Sequence, residues 1–266
     1  MPIDLHTHTP LCHHASGTPL EFARAAKAAG LEVYGVSDHA PMPDEPFDDW
    51  RMSQADLPHY CKWIEELRVA SEGAFQVLAG LECDWIPGIE SHTNWLREQH
   101  PWDYLIGSIH YLGKDFDFDN PKWLGRWESI DVEETWSAYW KEYLAMVRSG
   151  LFDIYGHPDL VKKFGFKPEG DLRRFYEPII EAIAAQSGCI ELNTAGWHKT
   201  CAEQYPDEHF LRLAAEAGIR LTLSSDAHAP EELARDFKRA ATLALSCGFE
   251  EVAPLSGHRL PLKSFL

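Results

Sequence analysis

No uninterrupted apolar run in this sequence is long enough to cross a bilayer, and its first residues lack the basic-then-apolar order of an export signal. Lysine- or arginine-rich runs are also missing, and the formal net charge is −18. Such an acid excess repels nucleic-acid phosphate and anionic membrane, so neither is expected as a partner. The six cysteines (Cys12, Cys61, Cys83, Cys189, Cys201, Cys247) form no Cys-x-x-Cys pair and no disulfide framework. They are expected as reduced, mostly buried thiols. With no Gly/Ser linker and no charge block, the 266 residues read as one cytoplasmic domain, 1–266. Oligomeric state is left open.

What is present is histidine: fourteen residues, many for this length. Histidine is a versatile metal ligand, so its placement matters. The first pair stands in Asp4-Leu5-His6-Thr7-His8. Alternate side chains of an extended strand share a face, which puts His6 and His8 on one side, about 7 Å apart. Thr18-Pro19-Leu20-Glu21 then carries the cap, first-turn proline and capping-box acid of a helix start, and Gly30 ends that helix. Downstream, the runs 31–37, 75–81, 104–109, 152–155, 189–192 and 219–223 read as strands. Helices are expected at 56–72, 90–98, 131–149, from 171, at 207–217 and at 231–246. Seven strands, each followed by a helical segment, predict an α/β chain with a parallel sheet closed into a barrel or near-barrel. The stretch 115–130 is long and irregular and reads as a functional lid.

The residues at the C-terminal ends of the seven strands are His6 and His8, His39, Glu82, His110, His157, Asn193, and Asp226 with His228. Working groups gather at that rim of a (β/α) barrel. His14, in the first loop, can join them. Seven histidines and two carboxylates exceed what one ion takes, so several ions are expected, with Glu82 placed to bridge two. Imidazole-rich sites suit zinc, iron or manganese better than magnesium or calcium. Three divalent ions facing two ligand carboxylates predict a strongly cationic site that draws phosphate.

The series His-x-His with a histidine six positions on, Ser37-Asp38-His39, Glu82, Gly107-Ser108-Ile109-His110, Gly156-His157-Pro158-Asp159 and Ser225-Asp226-Ala227-His228 resembles the PHP (polymerase and histidinol phosphatase) family. The resemblance covers essentially the whole chain and implies a distorted, TIM-like (β/α)7 barrel with a trinuclear site. It implies His6, His8, Glu82 and Asp226 on one ion, Glu82, His110 and His157 on a second, and His14, His39 and His228 on a third. His13 competes with His14 by one position. The chain length and the block Glu191-Leu192-Asn193-Thr194-Ala195-Gly196 are most similar to the stand-alone histidinol-phosphate phosphatases of that family. Hydrolysis of histidinol phosphate to histidinol and phosphate, in histidine biosynthesis, is therefore expected. In this reading hydroxide generated at the ions attacks phosphorus in line, with Glu82, Asp226 and His228 as catalytic residues.

For phosphate, the family branch leads one to expect arginines; the positions here hold Lys162, Lys163, His198 and Lys199, beside Asn193. Arg126 is a further candidate, or a partner of Glu128. The cationic head of the substrate is expected at Trp85, Trp123 and Trp127 with Asp115, Asp117 and Asp119. His59, His92, His100, His209 and His258 are expected to face solvent. Alternatives are a phosphodiesterase or nuclease on the same site, a protein-tyrosine phosphatase of this fold, and a non-catalytic metal-binding scaffold.

Overall fold

The computed structural model describes residues 2–266. Seven parallel strands follow one another in chain order: β1 (Ile3–Asp4), β2 (Val33–Val36), β3 (Gln76–Asp84), β4 (Tyr104–Ser108), β5 (Ile154–Tyr155), β6 (Cys189–Asn193) and β7 (Arg220–Ser224). The last comes back to the first through a parallel bridge between Thr7 and Ala227, with His8 N–H donating to the Ala227 carbonyl at 2.9 Å. A buried carboxylate fastens the same seam: Asp4 accepts from Ser225 N–H at 3.1 Å and from Ala234 N–H at 3.0 Å. The expected near-closed barrel is therefore present, built as a single domain.

Eight helices wrap it: α1 (Pro19–Ala29), α2 (Leu57–Ser71), α3 (Glu90–Gln99), the one-turn α4 (Leu124–Trp127), α5 (Val132–Ser149), α6 (Arg173–Ala185), α7 (Glu208–Glu216) and α8 (Phe237–Cys247). Local chemistry sets their ends as expected. Thr18 and Glu21 form both halves of a capping box, with Pro19 in the first turn and Gly30 left-handed at the end. Asp131 caps α5 by accepting from Glu134 N–H, and Gly150 closes it.

Three expectations need correction. The segment 231–246 is not one helix: a 3-10 turn at Pro230–Glu232 precedes α8, and Ala234 and Asp236 between them have positive φ, which no helix accepts. The chain then adds an antiparallel hairpin, β8 (Glu251–Leu255) and β9 (His258–Pro261), which strand counting missed. The stretch 115–130 is not irregular either, and its Asp119, Asn120 and Pro121 line the cavity at the barrel mouth. It folds into a 3-10 turn and α4, pinned by the buried Trp127, whose indole N–H donates to the Phe118 carbonyl at 2.7 Å.

The barrel interior has two storeys. At the lower end Ile3, Leu5, Val33, Leu78, Tyr104, Ile106, Ile154 and Cys189 pack together, with Leu255 and Leu260 of the hairpin against them. Tyr104 occupies the axis, its hydroxyl donating to the Leu5 carbonyl at 2.6 Å. It fits because β2 and β3 carry glycine beside it: a Cβ on Gly35 would meet its hydroxyl at 2.2 Å, and one on Gly80 its ring at 2.5 Å. The upper storey holds the polar cluster described next. Gly35→Ala is expected to destabilise by about 1–3 kcal/mol in urea unfolding, and by less in a Tyr104→Phe background, where the hydroxyl is gone. Equal losses in both backgrounds would contradict this packing.

Candidate metal centre

All nine expected ligands converge at the C-terminal mouth. Glu82 lies at the middle of them, 1% exposed. It is inside β3, which runs on to Asp84 instead of ending at Leu81. One carboxylate oxygen, Oε1, faces His157 Nε2 at 2.8 Å and His110 Nε2 at 3.6 Å. The other, Oε2, faces His39 Nδ1 at 2.8 Å, His6 Nε2 at 3.3 Å and His8 Nε2 at 3.7 Å. The two oxygens thus address two different groups of imidazoles.

Asp226 completes the Oε2 side, with Oδ1 3.0 Å from His8 Nε2 and 3.8 Å from His6 Nε2. Its backbone is left-handed (φ 54°), a conformation aspartate tolerates better than most residues. Asn193 does not face substrate space; it donates to Asp226 Oδ2 at 3.2 Å and to Glu191 at 3.0 Å. The His228 ring stacks on that of His8 with centroids 4.0 Å apart, and the His14 ring lies 4.6 Å from His228 and 5.4 Å from His39. His14, not His13, joins the cluster; both are exposed, and His13 has a left-handed backbone, φ 66°. The ligand atoms of His6, His8 and Asp226 lie within 4.8 Å of one another, as do those of His6, Glu82 and His157, and those of His8, His39 and His228. His14 groups with His228 and Cys12, a thiol that ligand counting did not include.

A ring of carboxylates behind the ligands had escaped sequence reasoning. Glu191 accepts from His6 Nδ1 at 2.9 Å, Asp38 from His8 Nδ1 at 3.2 Å, and Asp84 from His110 Nδ1 at 2.9 Å. His14 and His228 donate Nδ1–H to the carbonyls of Cys12 and Asp226, at 2.8 and 2.9 Å. Each such bond fixes the tautomer and turns Nε2 to the centre. The signal was present as acids inside apolar strands: Glu191 in Cys-Ile-Glu-Leu-Asn, and Asp84 two residues from Glu82, hence on the same face. The expected strong cationic excess is corrected accordingly. Glu191, Asp38 and Asp84 offset much of what bound cations would bring.

His6 Nε2, His39 Nδ1 and Glu82 Oε2 are buried without hydrogen-bond partners. Orphaned polar atoms of this kind are costly, and here they point at one another across a space lined by imidazole and carboxylate. Divalent cations satisfy all of them, so the donor set fits metal. The protonation pattern agrees. Burial opposes charge on His8, yet Asp226 and Asp38 push it up to about 9. Burial likewise opposes His110, and Asp84 with Glu82 push it up to about 9. Glu82 and Asp226 resist burial because the surrounding histidines hold them well below the usual carboxylate range. Burial drives His39 and His228 well below the ordinary histidine value. Positive charge on His8 and His110 thus offsets the buried carboxylates around them.

The cluster floors a cavity of about 440 Å³, walled by Trp50, Asp119, Lys163, Lys199, Tyr205 and Glu232. Only two of the expected substrate lysines stand there. Lys163 lines the wall, paired with Asp119 at 2.9 Å, and Lys199 is exposed at the rim. Lys162 is turned inward and fully buried against Asp159 at 2.8 Å, because Asp159 needs a counter-charge there. His198 pairs with Asp236 at 2.6 Å outside the cavity. Arg126 lies over the Phe116 ring at 3.8 Å, with no Glu128 ion pair among the described residues. Trp85 is 4% exposed, its indole N–H reaching Glu142 at 3.3 Å, and Trp127 is core. Trp123 donates to Asp117, neither of which is among the residues lining the cavity, while Asp115 is exposed. Trp50, which sequence reasoning did not single out, is the aromatic at the mouth, edge-on to His39 and His110 at 4.8 and 5.4 Å. Of the remaining histidines, His59 and His209 are exposed; His92, His100 and His258 are half-buried against Pro41, Trp102 and Gln76.

Chelator-stripped protein reloaded with zinc near pH 7.5 in weak buffer is expected to release about two or more protons per chain, since metal displaces protons from imidazoles that titrate above that pH. A pH-stat trace without release would contradict the charged state of His8 and His110.

The six cysteines are free, and among the described residues no helix is long and apolar enough to cross a membrane. The PHP domain pattern matches residues 4–195. A Deinococcus radiodurans protein named "Probable histidinol-phosphatase" is 41% identical over 237 residues, covering 89% of this chain and 90% of that one. The histidinol-phosphatase of Bacillus subtilis is 29% identical, covering 85% of this chain and 92% of its own. The crystal structure of histidinol phosphate phosphatase from Lactococcus lactis, complexed with zinc, L-histidinol and phosphate, has the same fold. Its TM-score is 0.78 at 24% identity, with 95% of each chain covered. With its domain pattern and these relatives aligned along nearly its full length, the chain belongs to the PHP family.

Proposed function

We propose that this chain hydrolyses L-histidinol phosphate to L-histidinol and phosphate at a three-ion centre of zinc, iron or manganese. The observation that carries the reading is Glu82, whose two oxygens face two separate imidazole groups as a bridging carboxylate does. The names of the Deinococcus and Bacillus relatives and the contents of the Lactococcus structure support the substrate. A cytoplasmic setting suits its free thiols.

When bound, the ions supply Lewis acidity that lowers the pKa of water and screens phosphoryl charge. The residues do the rest. His6, His8 and Asp226 with Glu82 would hold one ion, Glu82, His110 and His157 a second, and His14, His39 and His228 a third. Asp226 is the more open of the two ligand carboxylates, its side chain 17% exposed, and would accept a hydrogen bond from the attacking water and so orient it. His228 gives Nδ1–H to the Asp226 carbonyl, which turns Nε2 toward the third ion, so the leaving alkoxide would take its proton from water. Lys163 and Lys199 would grip phosphate as point charges, and Trp50 and Tyr205 offer rings in the cavity wall for a flat head group.

Phosphate release from histidinol phosphate by the zinc- or manganese-loaded protein tests the reading directly. His8→Ala and Asp226→Ala are each expected to lose most turnover together with bound metal. Lys163→Ala is expected to raise KM about tenfold, the worth of one charged hydrogen bond. Faster turnover of an oligonucleotide or a nucleoside monophosphate would redirect the assignment.

A further inference from the structure

The three carboxylates that hold ligand rings are not held alike. Asp38 takes neutral donors next to the barrel seam, the backbone N–H groups of Thr9 and His39 at 3.2 and 2.9 Å. Glu191 takes the His157 N–H at 2.5 Å and the Asn193 side chain at 3.0 Å. Asp84 instead relies on a cation from outside the barrel. Arg51, in the loop between β2 and α2, places Nη1 2.9 Å from Asp84 Oδ2, both side chains being 4% exposed or less. The opposite carboxylate oxygen, Oδ1, accepts from His110 Nδ1 at 2.9 Å.

The guanidinium is itself fixed from several sides. Its Nε donates to Asp48 at 2.6 Å and its Nη1 to the Ala40 carbonyl at 3.1 Å, while Tyr111 donates its hydroxyl to the same Asp48 oxygen at 2.7 Å. The Trp50 ring lies 4.2 Å from Arg51 Cζ and stacks on Tyr111 at 5.8 Å, with an interplanar angle of 9°. A buried arginine braced this firmly cannot drift, so the Asp84 carboxylate cannot either. Without it, Asp84 would be a buried carboxylate partnered only by the His110 ring, free to recruit water and let His110 turn.

We propose that Arg51 is a positioning residue: acting through Asp84, it fixes the His110 ring and so sets the affinity for the ion held by Glu82, His110 and His157. The inference rests on the metal-centre reading and is independent of which phosphoester is hydrolysed.

Holoenzyme dialysed against graded chelator, with metal per chain measured by elemental analysis and fold by circular dichroism, decides it. Arg51→Met is expected to release one metal equivalent at a chelator level about 10–100-fold below that of the wild type, the usual cost of losing a partner behind a ligand. Arg51→Lys should lie between, because an ammonium cannot span Asp48 and Asp84 as a fork does. Asp48→Asn, which leaves the Arg51–Asp84 pair in place, should follow the wild-type curve. If Arg51→Met does not fold, Asp84→Asn reads the same link and should show the same single loss. The proposal is overturned if Arg51→Met, or failing that Asp84→Asn, retains metal like the wild type. It is equally overturned if Asp48→Asn loses metal as readily as Arg51→Met, since loop seating would then be the cause. A wild type that binds no metal fails the centre itself, a separate result.

Discussion

A carboxylate buried to 1% exposure among five imidazoles is the constraint from which the upper half of this molecule follows. An ionised group at that depth is tolerated only when positive charge surrounds it. Glu82 meets the condition in two directions, Oε1 toward one pair of histidines and Oε2 toward three others. The seam between β1 and β7 must close for His6, His8 and Asp226 to reach the Oε2 side, so the Thr7–Ala227 bridge and the buried Asp4 serve the site as much as the fold.

Behind the ligands, charge is layered. Imidazoles and two acids face the centre, and Glu191, Asp38 and Asp84 stand one bond farther out, each accepting a hydrogen bond from one of those rings. This outer layer orients the rings and makes them better donors, at the cost of diluting the positive field that bound cations would project. Lys163, paired with Asp119, and Lys199 stand above this layer, at the wall and the rim of the cavity.

The barrel separates stability from chemistry along its axis. Below, Tyr104 and the aliphatic residues around it fill the interior, with the hairpin as a floor. Above, nearly every inward side chain is polar and committed to a partner. The cavity wall comes instead from the loops, where Trp50 and Asp119 are partly covered and Lys199 is exposed.

The sequence by itself determined the order of the barrel elements and eight of the nine residues that gather at the mouth. Apolar runs, helix caps and strand-end histidines are local signals, readable because each depends on near neighbours alone. His14 over His13, the continuation of β3 through Asp84 and the hairpin at the end of the chain required the folded structure. So did the fates of the lysines and tryptophans. Lys162 and Lys163 are adjacent, yet Asp159 draws one inward while Asp119 holds the other at the wall. Trp85 and Trp127 look like loop aromatics and are core, whereas Trp50 reaches the mouth because Arg51 and Tyr111 prop it there. Whether a side chain faces the cavity depends on partners dozens of positions away, and no local pattern encodes that pairing.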